Sequence, residues 1–284
     1  MVASPSSPPQ VRCRQIRQSD LDAVADLLAR GFPAKPRKYW TSALDRLAER
    51  GAPEGLPPFG YLLEAEGAVV GALLLIFAET GGAVRCNVSS WYVEPAHRGH
   101  AALLAGMASK LKHVTYINTS AATHTWPILD ALGYRRYSQG QFAAVPALKL
   151  GGEGRVRPLG GADRGLPDYA LLAAHAEADC LALICETAAG PEPFVFLPRR
   201  ISRLPFAAAQ LVYARDTDRF AACAGPLGRF LLTRGAPLVI CDAPAPISGL
   251  AGVWFRDRGP RYFKGPQRPR LNDLAFTEMV VFGP

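Results

Sequence analysis

Hydrophobic and polar residues alternate in some stretches of the chain and follow a helical period in others. Residues 11–17 alternate between the two kinds, which predicts a half-buried β-strand. Residues 21–31 place apolar side chains on one helical face, and Ser19 with Asp22 predicts a capping box at its start. The same reasoning predicts helices over 41–49, 101–111 and 125–132, strands over 59–64, 68–77, 84–93 and 114–117, and a hairpin over 134–148 turned at Gln139-Gly140. This order is that of a mixed α/β domain.

A glycine-rich stretch at 151–162 separates this region from a second one in which a similar order of elements returns. The sequence therefore predicts a disordered tail over 1–10, a first domain over 11–150, a linker over 151–162 and a second domain over 163–284. Elements predicted in the second domain are helices over 169–178 and 219–233 and strands over 180–185, 194–197, 207–213, 237–241, 253–255 and 276–282. We interpret the two regions as tandem copies of one α/β fold.

Composition narrows the class of protein. The chain has 284 residues, of which 49% are hydrophobic and 20% charged, which excludes a mainly disordered, collagen-like or coiled-coil protein. No apolar run reaches the roughly 20 residues that span a bilayer, and the first ten residues lack the features of a signal peptide, so a cytoplasmic location is expected. The net charge of +8 permits an anionic ligand. Abundant Arg, Ala and Pro give a bacterial-like composition.

Cysteine and histidine spacing argues against a metal site. The six cysteines form no CxxC pair, and most of them stand in apolar stretches, which favours buried thiols over disulfides. The five histidines make no metal-spaced cluster with them. No metal cofactor is expected.

The segment from Trp91 to Leu104 carries the candidate chemistry. A strand stops at Pro95, a short basic turn follows, and a helix begins among small residues. Free backbone N–H groups and the positive end of a helix dipole would meet there, and Arg98 could add a bidentate contact to a phosphate. An ordinary strand-to-helix connection is the alternative interpretation of these residues.

This segment resembles the acyl-CoA pyrophosphate loop of the GNAT superfamily of N-acetyltransferases, V-x-P-x-x-R-G-x-G/A, and residues 11–150 follow that family's order of elements. The resemblance implies a GNAT-like acyl-CoA N-acyltransferase fold, with the second copy degenerate. It also implies that the backbone of 91–93 pairs with the pantetheine arm of an acyl-CoA, in a gap beside the strand 114–117, and that the following turn holds the pyrophosphate. The matching positions are Val93, Pro95, Arg98, Gly99 and Ala101; the implied cofactor-binding residues are Trp91, Tyr92, Val93, Arg98, Gly99, His100, Ala101, Ala102 and Leu103.

The resemblance implies transfer of an acyl group, acetyl above all, from CoA to an amine or hydroxyl of a small molecule. Such a reaction needs a base for the acceptor's proton and an acid for the leaving thiolate. The candidate catalytic residues are Glu94 and His97 as bases and Tyr134 and Tyr137 as thiolate acids, each with a surface or packing role as the alternative. A homodimer is among the expected assemblies, and no membrane partner is expected.

Three positions depart from the family pattern: Leu103 replaces a loop glycine, Ala122 replaces an asparagine and Leu129 replaces a tyrosine proton donor. These departures motivate a second hypothesis, a non-catalytic acyl-CoA sensor or protein-interaction scaffold. A third hypothesis is nucleic-acid binding through the basic and aromatic stretch 256–270, against the simpler interpretation of a solvated hairpin. Residues 225–229 make a poor phosphate loop in the second copy, which would shape the acceptor pocket or give structural support.

Overall fold

The computed structural model describes residues 10–80, 82–201 and 205–283. The predicted tail over 1–10 lies almost wholly outside the described residues. The chain forms two compact units, one ending at Ile117 and the other beginning at Asn118. Each unit is an α/β structure, so the predicted fold class is confirmed.

The first unit is a five-stranded sheet with helices. Its elements are β1 (Val11–Gln15), α1 (Leu21–Gly31), α2 (Arg37–Arg50), β2 (Gly60–Ala65), β3 (Ala68–Thr80), β4 (Ala83–Val93), α3 (Ala101–Ala108) and β5 (Thr115–Asn118). The strands lie in the order β1-β2-β3-β4-β5, antiparallel except for the parallel pair β4/β5. Strands β2 and β3 are buried nearly throughout because helices cover apolar positions along them.

The second unit also contains a mixed sheet with one parallel pair. Its elements are α4 (Trp126–Ala131), β6 (Arg135–Ala144), β7 (Arg155–Pro158), α5 (Tyr169–Glu177), β8 (Leu181–Thr187), β9 (Gly190–Arg200), β10 (Ala207–Ala214), α6 (Thr217–Leu232), β11 (Leu238–Asp242), β12 (Gly252–Lys264) and α7 (Glu278–Val281). The strand order is β12-β6-β11-β10-β9-β8-β7, and β10/β11 is the parallel pair. Strands β7 to β11 thus lie side by side in chain order, as strands β1 to β5 do, and in each set the last two strands are the parallel pair.

Strand β6 corrects the predicted hairpin over 134–148. It runs straight through Gln139 and Gly140 and pairs with both β11 and β12. Gly140 serves close packing instead of a turn, because a Cβ there would lie 2.5 Å from the carbonyl oxygen of Phe255. The close approach of β12 therefore accounts for a glycine at this position, which the sequence pattern assigned to a turn.

Two other predicted elements are wrong. The strand predicted over 276–282 is the short helix α7. The stretch 256–270, for which a solvated hairpin was the simpler interpretation, begins inside strand β12, and this strand continues to Lys264. Ser19 does not cap α1: the Asp20 carboxylate instead accepts a hydrogen bond from the Arg17 amide at 2.7 Å. That bond caps a 3-10 turn that leads into the helix.

The predicted boundary at 151–162 and the division of the structure differ in position. The first compact unit ends at Ile117, and β6, which the sequence assigns to the first copy, pairs within the second unit. The domain limits 11–150 and 163–284 therefore remain a prediction about copies in the sequence, whereas the compact units are a property of the fold.

Candidate functional site

The parallel pair β4/β5 separates partway along its length. Its ladder joins Arg85 to Thr115, Cys86 to Tyr116 and Asn87 to Ile117, and it ends there, while β4 runs on to Val93. Among the described residues of the first unit, no other strand takes the place of β5 beside residues 88–93. We call this stretch the β4 edge. Its backbone groups on that side are available to an extended ligand.

Polar side chains lie where the two strands part. Asn87 is buried, and its Nδ2 donates to the carbonyl oxygen of Ile117 at 3.3 Å, across the last rung of the ladder. Ser89 is also buried, and its Oγ lies 3.0 Å from the Oγ of Ser90. These three residues were not among the predicted site residues, although polar side chains inside an otherwise apolar strand were the available signal.

A β-bulge turns the β4 edge. Between the pairs Ala72–Tyr92 and Leu74–Ser89 the register shifts by one, so Ser90 and Trp91 together face a single residue of β3. Ser90 has a φ of 53°, a left-handed conformation that is uncommon for a residue other than glycine. The bulge therefore changes the direction of the strand directly before the residues predicted to meet pantetheine.

The 94–103 turn joins β4 to α3. A 3-10 turn over Pro95–His100 runs directly into the helix. Arg98 is exposed, and its guanidinium makes no hydrogen bond or ion pair with any described residue. Apart from the neighbouring backbone, no atom of the described residues lies within 4 Å of a Cβ added at Gly99. The turn thus presents a free cation and an open backbone beside the positive end of a helix dipole.

The predicted cofactor-binding residues fall into an inner and an outer group. Val93 is buried and packs into the unit, and the 94–103 turn faces solvent. Leu103, which occupies the place of a family glycine, is 46% exposed, so its side chain lies at the surface of the unit and not in its core. Trp91, Tyr92 and Ala101 are half-buried, and Arg98, Gly99, His100, Ala102 and Leu103 are exposed.

Glu94 and His97 lie at the start of the same turn. The Arg30 guanidinium of α1 donates from Nη2 to Oε1 of Glu94 at 2.8 Å, so this carboxylate already has a cationic partner. The amide of His97 donates to the carbonyl of Glu94, which closes the first turn, and His97 is half-buried. The structure therefore brings both predicted bases together with the predicted phosphate loop.

Tyr134 and Tyr137 lie in the second unit. Tyr134 follows α4 through a Schellman motif, in which Gly133 has a φ of 81° and the Tyr134 amide donates to the Leu129 carbonyl at 3.0 Å. Tyr137 is buried on β6, and its ring stands edge-on to Phe263 at 6.0 Å between centroids. Both rings pack inside this unit, and their role as thiolate acids stays a prediction.

Two titratable groups stand next to the point of divergence in the first unit. Burial raises the pKa of the Cys86 thiol well above its usual value and raises the pKa of Tyr116 to about 12. Tyr116 also accepts a hydrogen bond from the Leu111 amide through its hydroxyl oxygen. Both groups are therefore neutral near pH 7.

The Gly225–Arg229 stretch lies inside a helix, as the sequence predicts for 219–233, and it forms no phosphate loop. It lies inside α6, where a Cβ at Gly225 or Gly228 would come 2.1 Å from backbone atoms of residues 147–151. These glycines let the chain after β6 cross the helix closely. The structure favours the alternative of structural support for this stretch.

The basic stretch 256–270 does not form one exposed surface. Arg261 is buried and pairs with Asp242 on β11 through two hydrogen bonds of 3.0 and 3.1 Å. Arg270 donates to the Arg215 carbonyl and pairs with Asp273. Part of the charge that suggested nucleic-acid binding is thus used inside the second unit.

Gly31 fixes the packing of α1 against the β4 edge. A Cβ at this position would lie 2.4 Å from Cγ of Tyr92, so we expect Gly31→Ala to lower the free energy of unfolding by about 1–3 kcal/mol through overpacking. Gly106→Ala is the matched control, because outside its own helix no described atom lies within 4 Å of a Cβ at this position, and alanine favours the helix. Chemical denaturation measures both. Equal stability of the two variants would contradict the packing of Tyr92 on Gly31.

No protein-family model and no curated protein matches the sequence. Solved structures do. The chain is similar to a GCN5-related N-acetyltransferase from Kribbella flavida (18% identity, TM-score 0.55, covering 90% of this chain and 71% of that one). It is also similar to one from Anabaena variabilis (11% identity, TM-score 0.56, 89% and 72%). A third is Eis1 from Mycobacterium abscessus (13% identity, TM-score 0.50, 93% and 74%).

These likenesses extend over most of the chain, and together with the parting of β4 from β5 they define the class: the chain has the fold of GCN5-related N-acetyltransferases. The resemblance predicted from the segment 91–104 is thereby confirmed at the level of the fold. Within the described residues, no helix is long and apolar enough to cross a membrane, and no three His, Cys, Asp or Glu residues are grouped to hold a metal ion.

Proposed function

We propose that the protein is an acyl-CoA-dependent acyltransferase that moves an acyl group, most often acetyl, to an amine or hydroxyl of a small molecule. The observation that carries the proposal is the parting of β4 from β5 after Asn87, directly before an exposed turn with an uncommitted Arg98. An extended ligand with a phosphate at one end matches this arrangement. Acyl-CoA is such a ligand, and the fold belongs to a class that carries this chemistry.

The first unit supplies separate contacts for the two ends of that ligand. The β4 edge offers backbone groups to the amides of the pantetheine arm, as a neighbouring strand would. The 94–103 turn offers Arg98 and backbone N–H groups to the pyrophosphate. Residues Trp91 to Val93 would thus hold the arm, and residues Arg98 to Leu103 the pyrophosphate.

Positioning supplies much of the rate in this reaction, because a thioester is already reactive. The acceptor nitrogen or oxygen attacks the thioester carbonyl carbon, the C–S bond breaks, and the CoA thiolate takes up a proton. His97 and Glu94 are the proposed bases for the acceptor's proton, and Glu94 keeps its contact to Arg30 through Oε1. Tyr134 and Tyr137 are the proposed acids for the thiolate. The proposed setting is cytoplasmic, and the protein acts alone or as a homodimer.

Ligand-induced stabilisation tests the proposal. Acetyl-CoA at about 100 times its dissociation constant is expected to raise the free energy of unfolding by roughly 2.7 kcal/mol. ADP is the control, since it carries a pyrophosphate without the pantetheine arm and should stabilise much less. Absence of stabilisation by acetyl-CoA and by longer acyl-CoAs would contradict the proposed function.

A sensor that binds acyl-CoA without turnover is the second candidate. The observation that favours it is Leu129, which is 2% exposed in α4, so a core leucine takes the place where the family carries a tyrosine donor. Release of free CoA thiol over a panel of amines separates the two candidates. Turnover above the buffer rate supports the enzyme, whereas tight binding with no turnover for any amine supports the sensor.

A further inference from the structure

The second unit contains a parallel pair that parts in the same way as β4/β5. The ladder between β10 and β11 ends at Gln210 and Ile240, while β10 continues to Ala214. Nε2 of Gln210 donates to the Ile240 carbonyl at 3.1 Å, as Asn87 does to Ile117, and the two partners are 30 residues apart in both cases. The second unit therefore has its own strand edge beyond an amide side chain at the last rung.

A later segment of the chain occupies this edge. The amide of Leu274 donates to the Val212 carbonyl at 2.8 Å, and the amide of Ala214 donates to the Asn272 carbonyl at 3.1 Å. Between them Tyr213 forms an antiparallel bridge with Asp273. Residues 272–274 thus pair with β10 where β11 no longer does.

Asn272 connects this segment to β11 as well. The Asp242 amide donates to Oδ1 of Asn272 at 2.7 Å, and Nδ2 of Asn272 donates to the Asp242 carbonyl at 3.1 Å. Asn272 has no exposed surface and has a φ of 58°. The segment therefore bridges the space between β10 and β11 and fills it from both sides.

The turn that follows β10 is also unsuited to a phosphate. Asp216 caps α6, and its carboxylate accepts a hydrogen bond from the Arg219 amide at 2.6 Å. Asp218 adds a second acid in the first helical turn, and Thr217 accepts a hydrogen bond from Nδ2 of Asn272 at 3.2 Å. The two arginines of this turn are already ion-paired with carboxylates, whereas Arg98 in the 94–103 turn has no such partner among the described residues.

We propose that residues 272–274 occupy, in the second unit, the place that an acyl-CoA pantetheine arm takes in the first. The inference rests on the proposed function for the identity of that ligand. A peptide in extended conformation presents amide N–H and C=O groups to a strand edge, and pantetheine presents its two amides in the same manner. The second unit is consequently closed to acyl-CoA by its own chain, and the protein binds one acyl-CoA.

Hydrogen exchange with and without acetyl-CoA tests this inference, with the stoichiometry measured by calorimetry. We expect slow exchange at the amides of Ala214 and Leu274 without ligand, no change there on adding acetyl-CoA, new protection at residues 91–93, and one ligand bound per chain. Fast exchange at Ala214 and Leu274 would overturn the inference, and so would two bound ligands or an acetyl-CoA response at these amides. If acetyl-CoA does not bind at all, the proposed function fails, and the exchange rates still decide whether the segment fills the edge.

A pair of glycine substitutions tests whether the Asn272 side chain holds residues 272–274 against β10. Asn272→Gly keeps the left-handed backbone but removes the amide bridge to β11, so exchange at Ala214 and Leu274 should become about tenfold faster or more. Asp179→Gly is the matched control, since Asp179 also has a positive φ, of 59°, on an exposed residue of the same unit. Unchanged exchange in Asn272→Gly would show that the bridge does not hold the segment in place.

Discussion

Replacing Asp242 with alanine is expected to lower the free energy of unfolding by about 3–5 kcal/mol, because it leaves a buried guanidinium without its counter-charge. The side chains of Asp242 and Arg261 are 0% and 4% exposed, and the guanidinium donates to both carboxylate oxygens. Arg261 also donates to the Thr119 carbonyl. Urea denaturation of wild type and Asp242→Ala measures the change.

An exposed ion pair provides the control. Asp26 accepts a hydrogen bond from Arg37 at 2.5 Å, but both side chains are about half exposed, so solvent weakens their attraction and Asp26→Ala should change stability little. The double variant Asp242→Leu with Arg261→Met should recover much of the loss, because an apolar pair carries no unmet charge. A loss in Asp242→Ala no larger than in Asp26→Ala would contradict the buried pairing.

The ion pair between Asp242 and Arg261 could not be predicted from the sequence pattern. Arg261 stands in a run of basic residues, and a run of like charges is ordinarily solvated, so the pattern favours an exposed hairpin. The burial of Arg261 depends on Asp242, which lies on a different strand and 19 residues away. Such a partner is set by the sheet topology, and local periodicity carries no information about it.

Local signals did predict the first unit well. Alternation and helical period follow from which face of each element is buried, and residues 59–117 bury theirs in a regular sheet with helices. The 94–103 turn was also predictable, since Pro95 and small residues mark a strand-to-helix junction. The end of the β4/β5 ladder at Asn87 was harder to predict from the sequence, because the separation of two strands produces no hydrophobic pattern of its own.

Glycine was the least reliable signal in the second unit. Gly140 suggests a turn, yet it lies inside β6, where the backbone of β12 approaches closely. Gly228 lies inside a helix that the sequence does predict, and it too is required for the close approach of another segment. A glycine required for close approach and one required for a turn look alike in one sequence. The pattern consequently predicted a turn inside β6, whereas the helix predicted over 219–233 corresponds to α6.

Arg98→Ala is expected to weaken acetyl-CoA binding about tenfold to hundredfold while leaving the fold intact. The guanidinium has no partner among the described residues, so removing it breaks no hydrogen bond or ion pair of the described fold. In the proposed complex it makes a charge-assisted contact to the pyrophosphate, which is worth about 1.5–3 kcal/mol. Isothermal titration with acetyl-CoA gives the affinity, and thermal unfolding without ligand checks the fold.

Arg12→Ala is the matched control, since it removes the same charge from an exposed position on β1 of the same unit. A local contact predicts that only Arg98→Ala loses affinity, whereas general attraction by the net positive charge predicts equal and small losses in both. The two explanations also differ in their response to salt, because a phosphate contact within the turn is screened less than long-range attraction. Equal affinities of Arg98→Ala and wild type would remove the 94–103 turn from the proposed acyl-CoA site and leave the parting of β4 from β5 as the remaining support for the proposed function.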